Sequence, residues 1–259
     1  MRPNDPGVPI VDAWAPGSPA SRSTGPGTFT FYTVGHAAHP IGEFEALLET
    51  FGVGVLADVR LAPGSRHSPQ FNGDALAASL RSAGIRYVHL PELGGWRTAR
   101  KGSPNGGWTN RSFQGYADHM ATPEFERGMG RLLAAAAALC DPTSTDPDPA
   151  AALRRPVGPE RDTAPTAHAS AGADPVAAAL PGSLTPSSHS EGGSVACMCA
   201  EGLWWRCHRR LLSDALVARG HTVVHILPDG RQEPHSLTAG IVVRGLHLTY
   251  PPQQPTLGI

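Results

Sequence analysis

Apolar positions along this chain follow two alternating rhythms, and the alternation predicts the architecture. From Phe29 to His36 aromatic and β-branched residues run together and stop at Gly35, as a buried strand entering a loop does. From Ile41 to Phe51 the residues Ile41, Phe44, Leu47, Leu48 and Phe51 recur with helical period, after Pro40 and before a Gly52 stop. GVGVLADVR is then apolar on both faces until Asp58 and Arg60, which predicts a second strand covered by helices on both sides. Asn72 opens a second helix through Leu76, Ala77, Leu80 and Ala83 to Gly84, and IRYVHL is a third strand running out at Pro91-Glu92.

A long loop rich in glycine and arginine follows, GGWRTARKGSPNGGWTNR, of a length that marks function or disorder. Thr122-Pro123-Glu124 then supplies the cap, first-turn proline and acidic first turn of a helix reaching Leu139. SVACMC reads as a fourth strand, AEGLWWRC as a loop, Leu211, Leu212, Ala215 and Leu216 as a helix ending at Gly220, and TVVHIL as a fifth strand. In the remaining stretch, IVVRGLHLTY predicts an edge element. The whole is a three-layer α/β sandwich: a mainly parallel five-stranded sheet with helices on both faces, in one domain over residues 29–140 and 194–250.

Composition changes this picture at three places. Of 259 residues 26 are proline and 30 glycine, concentrated so that the folded part is shorter than the chain. Residues 1–28, rich in Pro, Gly and Ser, and residues 141–193, rich in Ala, Pro and Ser, lack the branched and aromatic residues that offset ordering entropy. Both are expected to be disordered, as a tail and an insertion, with residues 251–259 a second tail. The formal net charge of −1 makes no bulk demand for a polyanionic partner. No secretory h-region and no bilayer-length apolar run occur, so a cytoplasmic protein without a membrane partner is expected. Three of the four cysteines, Cys197, Cys199 and Cys207, fall within eleven residues, which suits reduced thiols better than a disulfide scaffold.

In open parallel sheets, ligands bind beyond the carboxyl ends of the strands. That rule selects Gly35-His36, Asp58-Val59-Arg60, Pro91-Glu92 and Cys199-Ala200-Glu201, on one rim. The blocks GHAAHPIGEFEALLETFGV, LADVRLAPGSRHSPQFN, IRYVHLPELGG, FQGYADHM and CAEGLWWRCHRRLLSDALVARGH, in this order, resemble the bacterial and archaeal domain of unknown function 488. The resemblance implies an α/β fold and signature positions at Asp58, Arg60, Pro63, Ser65, Glu92, Cys199, Glu201, Cys207, His208 and Arg209, with the insertion as a departure from the compact pattern. Asp58-Val59-Arg60 is also similar to a strand-end Asp-x-Arg of rhodanese-like sulfurtransferases.

Cys199 ends a strand while Cys207, His208 and Arg209 open a helix, where free N–H groups and the helix dipole lower thiol pKa and attract anions. The leading expectation is a thiol-dependent enzyme acting on a small anionic or nucleotide-containing substrate. Cys199 is its nucleophile or redox thiol, Glu201 or His208 the proton carrier, and Asp58 an orienting carboxylate. Arg60, Arg206 and Arg209 clamp the anion, Ser65, Glu92 and Cys207 complete the binding wall, and neither cofactor nor resident metal is expected. A second expectation is a non-catalytic nucleotide or nucleic-acid module, in which Trp96, Trp108, Trp204 and Trp205 stack bases and Arg97, Arg100, Lys101 and Arg111 pair phosphates. A third is a metal-binding protein, with Cys199, Cys207 and His208 joined by His36 or Glu201. Against it stand the missing C-x-x-C pair and the divergence, by about 100°, of adjacent helical residues such as Cys207 and His208.

Overall fold

A computed structural model describes residues 27–140 and 193–252. The segments expected to be disordered fall almost wholly outside these residues. The chain runs β1 (Thr30–Gly35), α1 (Ile41–Thr50), β2 (Val53–Asp58), α2 (Gly73–Ser82), β3 (Arg86–His89), α3 (Arg111–His119), α4 (Pro123–Leu139), β4 (Ser194–Cys199), α5 (Arg209–Ala218) and β5 (Thr222–Ile226). Three short strands close it: β6 (Gln232–Pro234), β7 (Val242–Arg244) and β8 (His247–Thr249).

The main sheet has the order β3-β2-β4-β1-β5-β6; the first five strands pair in parallel and β6 pairs antiparallel with β5. Residues two apart on a strand share a face, and the strand residues divide accordingly. Val55, Ala57, Val195, Cys197 and Phe31 join a core with residues of α3, α4 and α5. Leu56, Ala196, Met198 and Val34 join the other core, with Phe44 and Leu48 of α1 and Leu76 and Leu80 of α2. The fold is thus α/β with a mainly parallel sheet buried on both faces, as the double-sided apolar strands require.

Three elements differ from expectation. The sheet has six strands rather than five, because QEP adds an antiparallel edge too short to show an apolar rhythm. IVVRGLHLTY does not join the main sheet; β7 and β8 pair with each other as a separate hairpin. Helix α3 was not expected at all. Asn110 caps it by accepting a hydrogen bond from Ser112 N, and Gly115 sits in its interior, where a Cβ would lie 2.6 Å from the Arg97 carbonyl carbon. A glycine forced by close packing hides the helical signal.

Candidate active site

The site forms where the chain leaves β2 and β4. These strands are neighbours, and Val59 N prolongs their pairing by donating to Met198 O at 3.0 Å. The connection from β2 leads to β3 on one side and that from β4 to β5 on the other, so a crevice opens beyond their ends. A cleft of about 530 Å³ lies there, a size suited to a small molecule. Cys199, Glu201, Arg206, Cys207 and His208 line one wall. Trp96 and Phe113 belong to the lining from the loop after β3 and from α3.

The centre of the cleft is a sulfur–imidazole cluster. Cys207 is extended (φ −124°, ψ 155°) and His208 is the N-cap of α5, so the two are not successive helical residues. Their side chains converge: Cys207 Sγ is 3.4 Å and Cys199 Sγ 4.0 Å from His208 Nδ1, and all three donor atoms lie within 4.8 Å of one another. The divergence argued from helical geometry does not apply here. His208 Nε2 donates to Val59 O at 3.0 Å. A carbonyl only accepts, so Nε2 carries a proton, and Nδ1 is the ring nitrogen that faces the two sulfurs. Gly95 makes room for this ring, since a Cβ there would lie 2.7 Å from Nδ1.

The two thiols are shifted in opposite directions. The Cys199 thiol hydrogen-bonded to Cys207 holds Cys207 well below the usual thiol range despite burial, helped by His208 and Arg209. Cys199 is pushed well above it, first by that same hydrogen bond and then by burial. Arg209 is the fixed positive charge behind the cluster: fully buried, it donates from Nη2 to the carbonyls of Glu201 and Gly202, while Nε and Nη1 have no partner among the described residues. A buried guanidinium without a carboxylate favours a thiolate nearby. Cys197 sits on the same strand, enclosed in the core, and burial pushes its thiol up to about 12.

The remaining expected site residues are placed around the cleft rather than in it. Asp58 and Arg60 form a buried pair (Nε to Oδ1, 2.8 Å; Nη2 to Oδ2, 2.5 Å), and Tyr87 Oη donates to Asp58 Oδ2 at 2.7 Å. Arg60 also donates to Phe71 O at 2.8 Å and lies 3.2 Å from His36 Nε2, so three residues brace its side chain. Ser65 Oγ accepts from the backbone of His67 and Ser68 and so shapes its own turn. Glu92 is held by Arg131 of α4 at 2.7 and 2.9 Å. Arg209 lies beneath the 201–202 loop and does not line the cleft. Arg100 pairs with Asp118 (3.5 Å), and three of the four tryptophans among the described residues have ring partners: Trp108 meets Phe113 and Tyr250, and Trp204 meets Trp205 and stacks on His225. Asn110, Ser112 and Phe113 also line the cleft without having been singled out; the glycine-masked helix α3 that carries them was the missing signal.

Residues 40–140 match the family model of the domain of unknown function DUF488, so the resemblance read from the sequence stands over that stretch. It covers β2, Asp58, Arg60 and the Trp96 loop, and ends before β4 and Cys197, Cys199 and Cys207. Neither the curated proteins nor the solved structures contain a match.

Proposed function

We propose that this protein is a thiol-dependent enzyme acting on a small anionic substrate in the cleft beyond β2 and β4. The observation that carries the reading is the convergence of two thiols and an imidazole nitrogen at the start of α5. The N-terminus of a helix and the Arg209 guanidinium, which engages no carboxylate among the described residues, stabilise a thiolate there. The sequence pointed to Cys199 as the reacting sulfur; the hydrogen bond between the thiols, which pushes Cys207 down and Cys199 up, favours Cys207 as the anion and Cys199 as its proton partner. Glu201, exposed on the cleft wall, exchanges protons with solvent, and Arg206 meets the substrate's negative charge. Asp58 and Arg60 support the site by fixing the strand-to-loop turn from which Val59 O holds His208.

The test is the pH dependence of iodoacetamide labelling, mapped by mass spectrometry, with exposed Cys140 as internal standard. Cys207 or Cys199 should alkylate with an apparent pKa well below the ordinary thiol value of about 8.5. If both stay inert until unfolding, the reading is wrong. One observation favours a second reading: an imidazole whose far nitrogen is tied to a backbone carbonyl is also the usual arrangement of a metal-ligating histidine. Thiols that become reactive only after a chelator is added would overturn the nucleophile in favour of a thiophilic cation held by Cys199, Cys207 and His208.

A further inference from the structure

Trp96 is 93% exposed, the most open large apolar side chain among the described residues, yet it lines the cleft beside the thiols. Its backbone is left-handed, at φ +61°, a conformation that a bulky residue adopts only when its surroundings impose it. Those surroundings are rigid. On one side Gly95 packs against His208. On the other Arg97 is tied down by Gly94 O (3.0 Å), Pro91 O (3.1 Å) and Glu124 (3.1 Å). The loop therefore holds an indole at the cleft mouth at a cost in both strain and exposed apolar area, and no residue among those described covers it.

We infer that Trp96 is a stacking platform for a planar heteroaromatic ring, and that the substrate class is a mononucleotide whose phosphate lies toward Arg206. This rests on the reading of the cleft as the substrate site. Trp108 and Trp204, committed to rings of the fold, do not compete for the role. Arg206 is exposed in the cleft wall and engages no carboxylate among the described residues, which leaves one cation for a charged group. Asn110 and Ser112 at the start of α3 offer polar edges, and Phe113 an apolar one. A cleft of about 530 Å³ takes one nucleotide. A polymer would need a basic stripe, and a chain of net charge −1 does not supply the bulk charge for it.

Calorimetric titration of the full chain with AMP, ribose 5-phosphate and adenosine tests this, using the wild type, Trp96→Phe, Trp96→Ala and Arg206→Ala. AMP should bind the wild type more tightly than ribose 5-phosphate. Trp96→Ala should weaken AMP about tenfold or more and leave ribose 5-phosphate within about twofold, while Trp96→Phe keeps most of the affinity. Arg206→Ala should weaken AMP and ribose 5-phosphate but not adenosine. The inference fails if AMP and ribose 5-phosphate bind alike, if Trp96→Ala weakens both equally, or if AMP does not bind at millimolar concentration. Reactive low-pKa thiols without AMP binding would sink this inference alone; AMP binding beside inert thiols would sink the thiol chemistry alone.

Discussion

Substituting Gly35 by alanine probes how the end of β1 supports the site. A Cβ at this position would overlap the Glu201 carbonyl oxygen and lie 2.6 Å from Gly202 Cα and 2.7 Å from Glu201 C. All three are backbone atoms, so no side chain can turn aside. To restore ordinary contact at about 3.4 Å the 201–202 loop must retreat by about 1.4 Å at the Glu201 carbonyl oxygen. That movement strains the bonds from His36 N to Cys199 O and from Ala37 N to Ala200 O, both 3.0 Å, and loosens the carbonyls that hold Arg209. Overpacking and weakened buried hydrogen bonds together should cost about 3 kcal/mol or more, which is roughly 6–12 °C in melting temperature. Gly42→Ala in α1 is the control: nothing lies within 4 Å of its Cβ, so it should be neutral or stabilising by up to about 1 kcal/mol. Urea unfolding of the two variants beside the wild type measures the difference. Equal stabilities, or a loss below about 1 kcal/mol for Gly35→Ala, would refute the reasoning.

Two further outcomes are expected. Burial, with His235 and Arg209 nearby, drives His225 down to about 2, and burial with Arg60 drives His36 down to about 4. Both are therefore neutral when folded but protonate in the unfolded chain below about 6.5. Their contribution is complete above that pH and is lost as pH falls, with a slope of about 1.4 kcal/mol per unit for each histidine, until His36 levels off near 4. Unfolding free energies flat between pH 6.5 and 5 would contradict this. Glu92→Gln removes the half-exposed pair with Arg131, and should cost less than about 1 kcal/mol, diminish further in salt, and leave cysteine labelling unchanged; altered labelling would place Glu92 in the cleft after all.

What could be read from the chain was what repeats locally. Leu76 and Leu80 of α2 announce a helix because burial on one side imposes a period, and both lie in the core. Residues at strand ends were legible because topology, not sequence, puts them on one rim. Convergence of Cys207 and His208 was not legible: it depends on Val59 O, 149 positions away, orienting the imidazole, and on Cys207 being extended before the helix begins. Ser65, Glu92 and Arg209 lie outside the lining of the cleft. Glu92 is claimed by Arg131, 39 positions away, which leaves no local pattern, while Ser65 and Arg209 turn to the backbone of nearby loops rather than toward the cleft. Trp96 was noticed as one tryptophan among several; only its backbone conformation and exposure set it apart.

The described chain stops at residue 140 and resumes at 193, and both ends stand over Gly54, whose Cβ position is 3.1 Å from Leu139 Cδ2 and 3.6 Å from Gly193 Cα. Gly54 lies at the start of β2, while the thiols lie beyond the other ends of the strands, roughly 17–20 Å away along a six-residue strand. Sequence can thus be spliced in or out at this seam with its termini already side by side, and the closure cost grows only slowly with length. The architecture sets the seam at one pole and the reactive chemistry at the other, so a reporter domain joined directly at 140 and 193 would be anchored at the end of the sheet opposite the cleft.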